Sequence, residues 1–371
     1  MAAPLRLLRP AVRALRYAQS AGGVAATAAR VYGVPRRAAL RRARHLRASY
    51  GFAIDEALQF GLLDPASPAV PPYLSKRETL DLQRRLNPPA LEPLTENKAV
   101  FAEACAVRGV PVAATLALLS RTGPAGAIPR ETALHEWTQA LAACRGDVVV
   151  KPVQGWHGRG VRLLSAGGGV LRREGGGAVA PPELARELWE DAEHPAWIVQ
   201  PRLRNHPALA ALGRPGALHT GRVVTLVGDS GEVSVLYGLL RLAVGDAVDN
   251  FRGGATGNLL TSVGANGRLE GAWGARPDRC GLTPVDVDPV SGTRLPGWAV
   301  PGWDAALAVC RAAATAFLPL RTIGWDVAIT PDGPAMVEAN LWWDPTPTHA
   351  VRGRLGPLLA AAAAAPPALR R

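Results

Sequence analysis

A glycine-rich loop between two short apolar segments is the sequence feature that most restricts the fold of this chain. Residues 148–161 read Val-Val-Val-Lys-Pro-Val-Gln-Gly-Trp-His-Gly-Arg-Gly-Val. The composition of residues 147–152 and 161–164 is typical of strands. Glycines in the loop allow its backbone amides to approach an anion closely; these are Gly155, Gly158 and Gly160. Because a strand follows the loop, where a dinucleotide fingerprint or a P-loop requires a helix, the pattern predicts either a lid over phosphates or a plain hairpin.

Lysine is rare in this chain, and two of the lysines occur beside notable elements. Of the 42 basic side chains only three are Lys, at positions 76, 98 and 151. Lys151 lies in the strand before the glycine loop, and Lys98 lies at the start of a helix predicted over residues 96–108. A Lys retained in an Arg-rich chain suggests that the position needs a compact point charge. Lys76 is interpreted as an ordinary surface residue.

Two carboxylates and an amide are predicted to converge near the C-terminus. Glu338 and Asn340 share one face of a strand because side chains at i and i+2 point the same way. Asp326 precedes Glu338 by twelve residues, so an odd-numbered loop centred on Asp332 places the two carboxylates opposite each other, with paired residue numbers that sum to 664. Hard oxygen ligands of this kind suit Mg²⁺. The alternative is that Asp326 caps a strand and Glu338 faces solvent.

The excess positive charge is confined to the N-terminus. Residues 1–54 contain eleven Arg, no Lys and no acidic residue, whereas the rest of the chain carries 31 basic against 30 acidic side chains. A nearly neutral body argues against nucleic-acid binding. The basic segment is interpreted as an ordinary helix, with a contact to a membrane surface or a partner and a targeting role as the alternatives.

The distribution of apolar residues and cysteines indicates the cellular compartment in which the protein is expected. No stretch of eighteen residues is free of an interrupting Arg, Pro or acidic residue, so we expect no transmembrane segment. The four cysteines lie 30 or more residues apart and form no Cys-x-x-Cys pair, which argues against a disulfide framework or a zinc site. We therefore expect a cytoplasmic protein, peripheral to the membrane if the basic segment contacts lipid.

The order of predicted elements indicates an α+β fold with largely antiparallel sheets. A basic helical region occupies residues 1–90, and the helix over 96–108 begins with Thr95 as its N-cap. A second helix is predicted over 303–317. Strands are predicted at 197–201, 222–227 and 232–242, and on both sides of the turn at 331–334. The last nineteen residues, 353–371, have the Ala/Pro-rich composition of a tail.

Taken in order, these motifs resemble the ATP-grasp superfamily, and most of all the sugar-transfer associated ATP-grasp proteins. The resemblance covers roughly residues 95–345, and their shared order is more specific than any one motif. It includes the Asn97-Lys98 helix start, Val150-Lys151-Pro152 with its glycine lid, Ile198 to Pro207, Thr220 to Thr225, Asp249-Asn250-Phe251, Gly324-Trp325-Asp326 and Glu338-Ala339-Asn340.

The resemblance implies the ATP-grasp fold, in which two α+β subdomains grip ATP. Residues 91–202 would form the subdomain with the lid and residues 203–352 the subdomain with the metal site. Many members begin with a Rossmann-like domain, whereas residues 1–90 here are predicted to form basic helices. The part of the chain that binds the second substrate is therefore the least transferable.

The resemblance also implies a role for each candidate site residue. Lys98 and Lys151 would contact the nucleotide phosphates, and the lid would close over them. An adenine hinge would form at Ile198, Val199, Gln200 and Pro201. Arg222, Arg241 and Lys151 would stabilise the transferring phosphoryl group, and two Mg²⁺ ions would bind Asp326, Glu338 and Asn340. A salt bridge from Arg241 to Asp249 is an equal alternative, and Trp156 and His157 in the lid either pack on it or contact substrate.

The activity implied is that of an ATP- and Mg²⁺-dependent carboxylate–amine ligase that acts through an acyl phosphate. Its substrates would be a small-molecule or saccharide-linked carboxylate and an amine, in cell-envelope or polysaccharide-related biosynthesis. Two alternatives remain open at this point: a kinase on the same fold that phosphorylates a hydroxyl, and a nucleotide-binding protein without catalytic activity.

Overall fold

A computed structural model describes residues 21–71, 73–121, 131–155, 158–278, 280–346 and 356–364. Within these ranges the chain combines helices with two antiparallel sheets, of six and seven strands. The predicted α+β class is therefore confirmed. No helix in this described part of the chain is both long and apolar enough to cross a membrane. The lid residues Trp156 and His157 lie outside the described residues, as does most of the predicted tail.

Helices form the N-terminal region. They are α1 (residues 21–32), α2 (Arg36–Tyr50), α3 (Ile54–Gln59) and α4 (Lys76–Leu86). The first three enclose a small core of alanines with Leu46 and Phe52, and this core also takes up Cys280 from the far part of the chain. Helix α2 ends at Gly51, whose φ of 75° is readily adopted only by glycine. The described residues of the predicted basic helical region, from residue 21 onwards, are therefore packed on the rest of the molecule.

Six strands form the first sheet, which carries the glycine loop. They are β1 (Ala117–Ser120), β2 (Gly146–Pro152), β3 (Arg162–Gly167), β4 (Val170–Arg173), β5 (Ala178–Val179) and β6 (Ala196–Pro201), in the order β1-β6-β2-β3-β4-β5. Helices α7 (Leu134–Ala143) and α8 (Pro181–Glu190) cover one face, where Trp137 and Trp197 are fully buried. Strands β2, β3 and β6 correspond to those predicted at 147–152, 161–164 and 197–201.

Seven strands form the second sheet. They are β7 (Thr220–Val227), β8 (Val233–Leu242), β9 (Leu259–Val263), β10 (Leu269–Ala275), β11 (Leu282–Pro284), β12 (Thr322–Thr330) and β13 (Gly333–Asn340), in the order β11-β10-β9-β8-β7-β12-β13. The short helix α9 (Pro207–Ala210) precedes β7, and helix α10 (Trp303–Ala316) covers one face of this sheet. The other face is apolar at one end, where Val224 and Trp343 are buried near α4, and polar at the other, where Thr220 and Arg241 face the first sheet.

Two short helices join the N-terminal region to the sheets and connect their cores. They are α5 (Pro93–Glu96) and α6 (Lys98–Val107). One side of α6 packs on the first sheet through Ala99 and Ala102, and the other packs on the second sheet through Phe101 and Cys105. The start of α6 therefore lies where the two sheets face each other.

The N-cap of α6 differs from the sequence prediction. Asn97 is the cap, and its side-chain oxygen accepts hydrogen bonds from the backbone N–H groups of Ala99 and Val100, each at 3.1 Å. Thr95 lies inside α5 instead, with its hydroxyl bonded to the Glu92 carbonyl. Both residue types are good caps, and the one-turn helix α5 moves the start of α6 two residues further along the chain.

The hairpin of β12 and β13 pairs as predicted near its acidic residues but not at its tip. Asp326 pairs with Glu338, and Gly324 pairs with Asn340, so the numbers sum to 664 as expected. Beyond Asp326 the pairs sum to 663 and end in a two-residue turn. The predicted odd-numbered loop is therefore wrong. A β-bulge at Val337 supplies the extra residue that returns Glu338 to the face of Asp326.

The expectation of a C-terminal tail is also wrong for the described residues 356–364. They form a helix, α11 (Gly356–Ala364), which packs against α4, and Leu359 is fully buried there. Alanine-rich composition is as compatible with a packed helix as with a tail, because alanine has the highest helix propensity. The remaining subdomain boundaries, at residues 90, 202 and 352, stay predictions.

Candidate active site

A cleft that is open to solvent separates the two sheets. The first sheet contributes Val149, Lys151 and Leu163, and the second sheet contributes Thr220, Arg241, Asp326 and Glu338. The start of α6 and the glycine loop complete the walls with Lys98, Gly155 and Gly158. Arg222 and Gly160 are among the residues predicted for the site that do not line this cleft. Those that do line it are Lys98, Lys151, Gly155, Gly158, Gln200, Pro201, Arg241, Asp326 and Glu338.

Two ammonium groups lie on one side of this cleft. Lys98 is the first residue of α6, and its ammonium donates to the Gly155 carbonyl at 3.1 Å and lies 3.9 Å from a Glu338 carboxylate oxygen. Lys151, on β2, makes no hydrogen bond or ion pair with any other described residue. Burial, and then the nearby charge of Lys98, lowers the pKa of Lys151 from 10.5 to about 8. Lys98 is thus held in place by the protein, while Lys151 is available for an anionic ligand.

Arginine and aspartate side chains form a buried network on the opposite side. In the sheet register Asp326 stands between Arg222 on β7 and Glu338 on β13. Arg222 binds the Asp326 carboxylate in a bidentate pair, with the Nη2–Oδ2 bond at 3.0 Å, and Arg241 binds the same Oδ2 at 2.6 Å. Burial alone raises the pKa of a carboxyl group, but the two guanidinium groups hold the pKa of Asp326 far below its usual range.

Arg241 has the salt-bridge environment that was the alternative to phosphate binding. Its guanidinium lies 3.6 Å from Asp249 and donates to the Thr220 hydroxyl at 2.8 Å. Asp249 in turn accepts hydrogen bonds from the hydroxyl and the backbone N–H of Thr220. The predicted contact of Arg222 and Arg241 with a phosphoryl group stays a prediction. Both line the space beside Glu338, but their guanidinium groups are engaged first with Asp326.

The predicted metal ligands differ in how free their oxygens are. Asp326 is buried with both oxygens bound to guanidinium groups, which excludes the alternative in which it merely caps a strand. Glu338 lies in the cleft, where burial and the Asp326 carboxylate raise its pKa. Asn340 donates its Nδ2 to the Gly324 carbonyl at 3.4 Å, and its oxygen accepts no hydrogen bond from another residue that the structure describes.

These oxygen ligands fit a hard cation, because Glu338 and Asn340 offer oxygens beside the cleft. Asp326 adds a negative charge nearby that the two arginines already balance. No group of three or more His, Cys, Asp or Glu side chains suited to a metal occurs within the described ranges. A cation at this position would therefore also depend on oxygens of a bound nucleotide.

The predicted adenine hinge lies partly in the core. Ile198 and Val199 are fully buried between β1 and β2, and they do not line the cleft. Gln200 and Pro201 do line it, and the Gln200 amide donates to the Ala113 carbonyl at 3.0 Å. The next two residues along the chain, Arg202 and Leu203, also line the cleft. They were missed because the apolar run that marks the strand ends before them.

The glycine loop touches the second sheet's side of the cleft. Gly158 has a φ of 69°, and a Cβ built on it would lie 2.9 Å from Val248 and 3.4 Å from Asn250. Both residues belong to the connection between β8 and β9. The loop therefore covers the cleft at a place where only glycine fits. No pattern in the sequence predicted this contact between distant segments.

A second cleft adjoins the first at Glu338. The two share five lining residues: Lys98, Gly155, Arg241, Asn250 and Glu338. The second cleft extends from there to the N-terminal helices, where Gln59 and Lys76 line it, and to the segment after β13, where Trp342 and Asp344 line it. Sequence reasoning assigned none of these four residues to a site.

Comparison with known proteins gives a family. The model of the family described as sugar-transfer associated ATP-grasp matches residues 77–354. A search of curated proteins found no match.

Several solved structures are similar to this chain. The ADP complex of an N5-carboxyaminoimidazole ribonucleotide synthetase has 15% identity and a TM-score of 0.39 over 68% of this chain and 46% of its own. An L-amino acid ligase from Bacillus licheniformis has 11% identity and a TM-score of 0.33 over 69% and 42%. A D-alanyl-alanine synthetase from Vibrio cholerae has 12% identity and a TM-score of 0.42 over 77% and 71%. The chain thus spans less than half the length of the first two.

Proposed function

Because this chain belongs to the sugar-transfer associated ATP-grasp family, we propose that it is an ATP- and Mg²⁺-dependent ligase that joins a carboxylate to an amine. The observation that carries this proposal is the opposition of charges across one cleft. Lys98 and Lys151 line this cleft with Asp326 and Glu338, beneath the glycine loop, and a second cleft, which Asn340 lines, opens at the same Glu338.

The first cleft suits a nucleotide triphosphate. Its apolar side chains Val149, Leu163 and Leu203 lie near Gln200 and would enclose a base, and its lysines would contact phosphates. The unpaired Lys151 would bind a phosphate oxygen as a compact charge, while Lys98 would keep the loop carbonyl of Gly155 in place. Mg²⁺ held by Glu338 and Asn340, beside Asp326, would neutralise phosphate charge.

The second cleft suits the carboxylate. An oxygen of the substrate carboxylate would attack the γ-phosphorus of ATP. The bond between that phosphorus and the oxygen that bridges it to the β-phosphate would break, and ADP would be released. An amine would then attack the carbonyl carbon of the acyl phosphate, and phosphate would leave. The chain contributes orientation and charge: Arg241 and Lys151 oppose the negative charge on the phosphoryl group, and the loop excludes water that would hydrolyse the intermediate.

The family's description and the basic N-terminus support two further parts of this proposal. We infer that the product belongs to cell-envelope or polysaccharide-related biosynthesis. We also infer that the enzyme contacts an anionic membrane surface through its first 54 residues, since α2 exposes several arginines and no acidic residue.

The test is to trap the intermediate with hydroxylamine. The protein is incubated with ATP, Mg²⁺, hydroxylamine and a panel of carboxylates, and hydroxamate and ADP are measured together. The proposal expects hydroxamate in equal amount to ADP with at least one acid. ADP formation with a phosphorylated hydroxyl and no hydroxamate would establish the kinase alternative instead. If the protein bound ATP but hydrolysed none with any acid of the panel, the alternative of a nucleotide-binding protein without catalytic activity would be supported instead.

A further inference from the structure

We propose that the second cleft binds a hydroxylated carboxylate of the sugar-acid class, and that Gln59 from the N-terminal helices contacts a hydroxyl of this substrate. The inference rests on the proposed function, since it names the carboxylate that the ligase would activate. It adds a substrate class and a specificity residue from a region of the chain that lies outside both sheets.

Gln59 has an unpaired donor in the wall of this cleft. It is the last residue of α3, and its Nε2 is buried without a hydrogen-bond partner among the described residues. A buried donor without an acceptor destabilises a protein, so such groups are few in native structures. A ligand oxygen in the cleft would satisfy this donor. Because Gln59 also lines the cleft, a hydroxyl of the substrate is the acceptor that we assign to this donor.

The charged groups at this end of the cleft are already matched within the protein. The Lys76 ammonium lies 3.1 Å from the Asp344 carboxylate, which also accepts hydrogen bonds from the backbone and hydroxyl of Thr346. Glu96 accepts a hydrogen bond from the backbone N–H of Leu341 at 3.2 Å. A second full charge on the ligand would disturb these pairs, whereas a neutral hydroxyl can both donate to a carboxylate and accept from an amide.

The remaining lining has the mixed character that a ring with hydroxyl groups requires. Trp342 and Phe251 offer apolar surface for the C–H face of such a ring. Thr95 and Asn340 add short polar side chains around them. Pockets that combine an aromatic surface with a few placed polar groups are typical of small-molecule sites.

The two ends of the cleft orient the substrate. Arg241, Lys98 and Glu338 lie at the end shared with the nucleotide cleft, where cations favour the substrate carboxylate. Gln59 and Lys76 lie at the other end. The reacting carboxylate would therefore point to the γ-phosphate, and the hydroxyl groups would point to the N-terminal helices.

The experiment compares two acids of equal carbon number in the hydroxylamine assay, D-glucuronate and hexanoate. For the wild-type protein we expect kcat/KM for glucuronate to exceed that for hexanoate at least tenfold. Gln59→Leu should raise the KM for glucuronate about tenfold while leaving kcat, the KM for ATP and the rate with hexanoate unchanged. Because leucine removes an unsatisfied buried donor, the variant should also unfold about 2–4 °C higher. Gln139→Leu, at an exposed position on α7, is the matched control and should change none of these values.

The outcomes separate this inference from the proposed function. Hydroxamate from hexanoate or L-glutamate, but not from glucuronate, would overturn the substrate class and leave the ligase activity intact. An equal loss of kcat/KM for glucuronate and hexanoate in Gln59→Leu would overturn the hydroxyl contact. Absence of hydroxamate with every acid would contradict the proposed function itself.

Discussion

At the residue scale, the unpaired ammonium of Lys151 is the group most directly linked to phosphate binding. The pKa of Lys151 is about 8, below the ordinary 10.5. The charged form of Lys151 therefore destabilises the folded protein at neutral pH. The free energy of unfolding should rise as the pH increases from 8 to 10.5, because the folded protein then loses this proton before the unfolded chain does. A bound phosphate would favour the charged form and raise the pKa again. ATP binding should therefore take up a proton above pH 8.

We predict that ATP affinity falls as the pH rises from 8 to 9, by up to about tenfold, because one proton is taken up with the ligand. Lys151→Met should bind ATP at least about tenfold more weakly, lose this pH dependence, and be more stable at pH 7 by on the order of 2 kcal/mol. Lys151→Arg should also bind poorly, because a planar guanidinium does not replace a compact ammonium. Calorimetric titration and urea unfolding measure these quantities. Wild-type affinity in Lys151→Arg would contradict the role of Lys151.

Single residues show how far the sequence could predict this site. The twelve-residue spacing of Asp326 and Glu338 correctly predicted that these two residues pair across the hairpin. The two residues line one cleft together with Lys98 and Lys151, the lysines that the composition singled out. The pairing of Arg222 with Asp326 was not predictable. These residues lie 104 positions apart, and their contact depends on the register of β7 and β12, which no local pattern specifies.

At the element scale, the bulge at Val337 shows why the tip of the hairpin differed from its expected form. Alternation determines which residues share a face only while the strand is regular, and one extra residue reverses the faces beyond it. The two-residue turn and the bulge both differ from the predicted loop. The bulge compensates for the turn, so Asp326 still pairs with Glu338 as predicted. The pairing of Asp326 with Glu338 was thus predicted correctly, although the predicted loop was wrong.

The glycine loop provides a matched pair of substitutions. Gly158→Ala forces a side chain into Val248 at a positive φ, so the loop should close poorly and kcat should fall about tenfold or more. Gly155→Ala places its Cβ no closer than 3.6 Å to any described atom outside its chain neighbours and has no positive φ, so it should turn over ATP within about twofold of wild type. Steady-state ADP release measures both. Equal effects of the two substitutions would show that the contact between the loop and Val248 does not matter.

At the scale of the whole molecule, the N-terminal helices are part of the packed structure. Helices α1 to α3 share a core with Cys280, and α3 brings Gln59 to the second cleft. Deleting residues 1–54 would remove α1 and α2 from this core and expose its apolar side chains. Such a deletion cannot separate membrane contact from stability, so charge substitutions on the surface of α2 are needed.

Arg37, Arg41 and Arg44 are exposed and lie on one side of α2, three and four residues apart. Replacing all three by Gln should leave ATP turnover and unfolding unchanged but abolish binding to vesicles containing phosphatidylserine at low salt. Arg42→Gln is the contrasting variant, because its guanidinium binds the carbonyls of Leu62 and Ser67 and its loss should lower stability. Absence of vesicle binding by the wild-type protein in sedimentation would refute the membrane contact.

The central claim is that a carboxylate oxygen attacks the γ-phosphorus of ATP in this cleft. The direct measurement uses the acid accepted in the hydroxylamine assay, labelled with ¹⁸O in its carboxylate, and follows phosphate by ³¹P NMR. If an acyl phosphate forms and hydroxylamine captures it, one labelled oxygen is transferred to each phosphate released, and the phosphate signal shifts accordingly. Phosphate that is released without label, while ADP is formed at the same rate, would contradict the account.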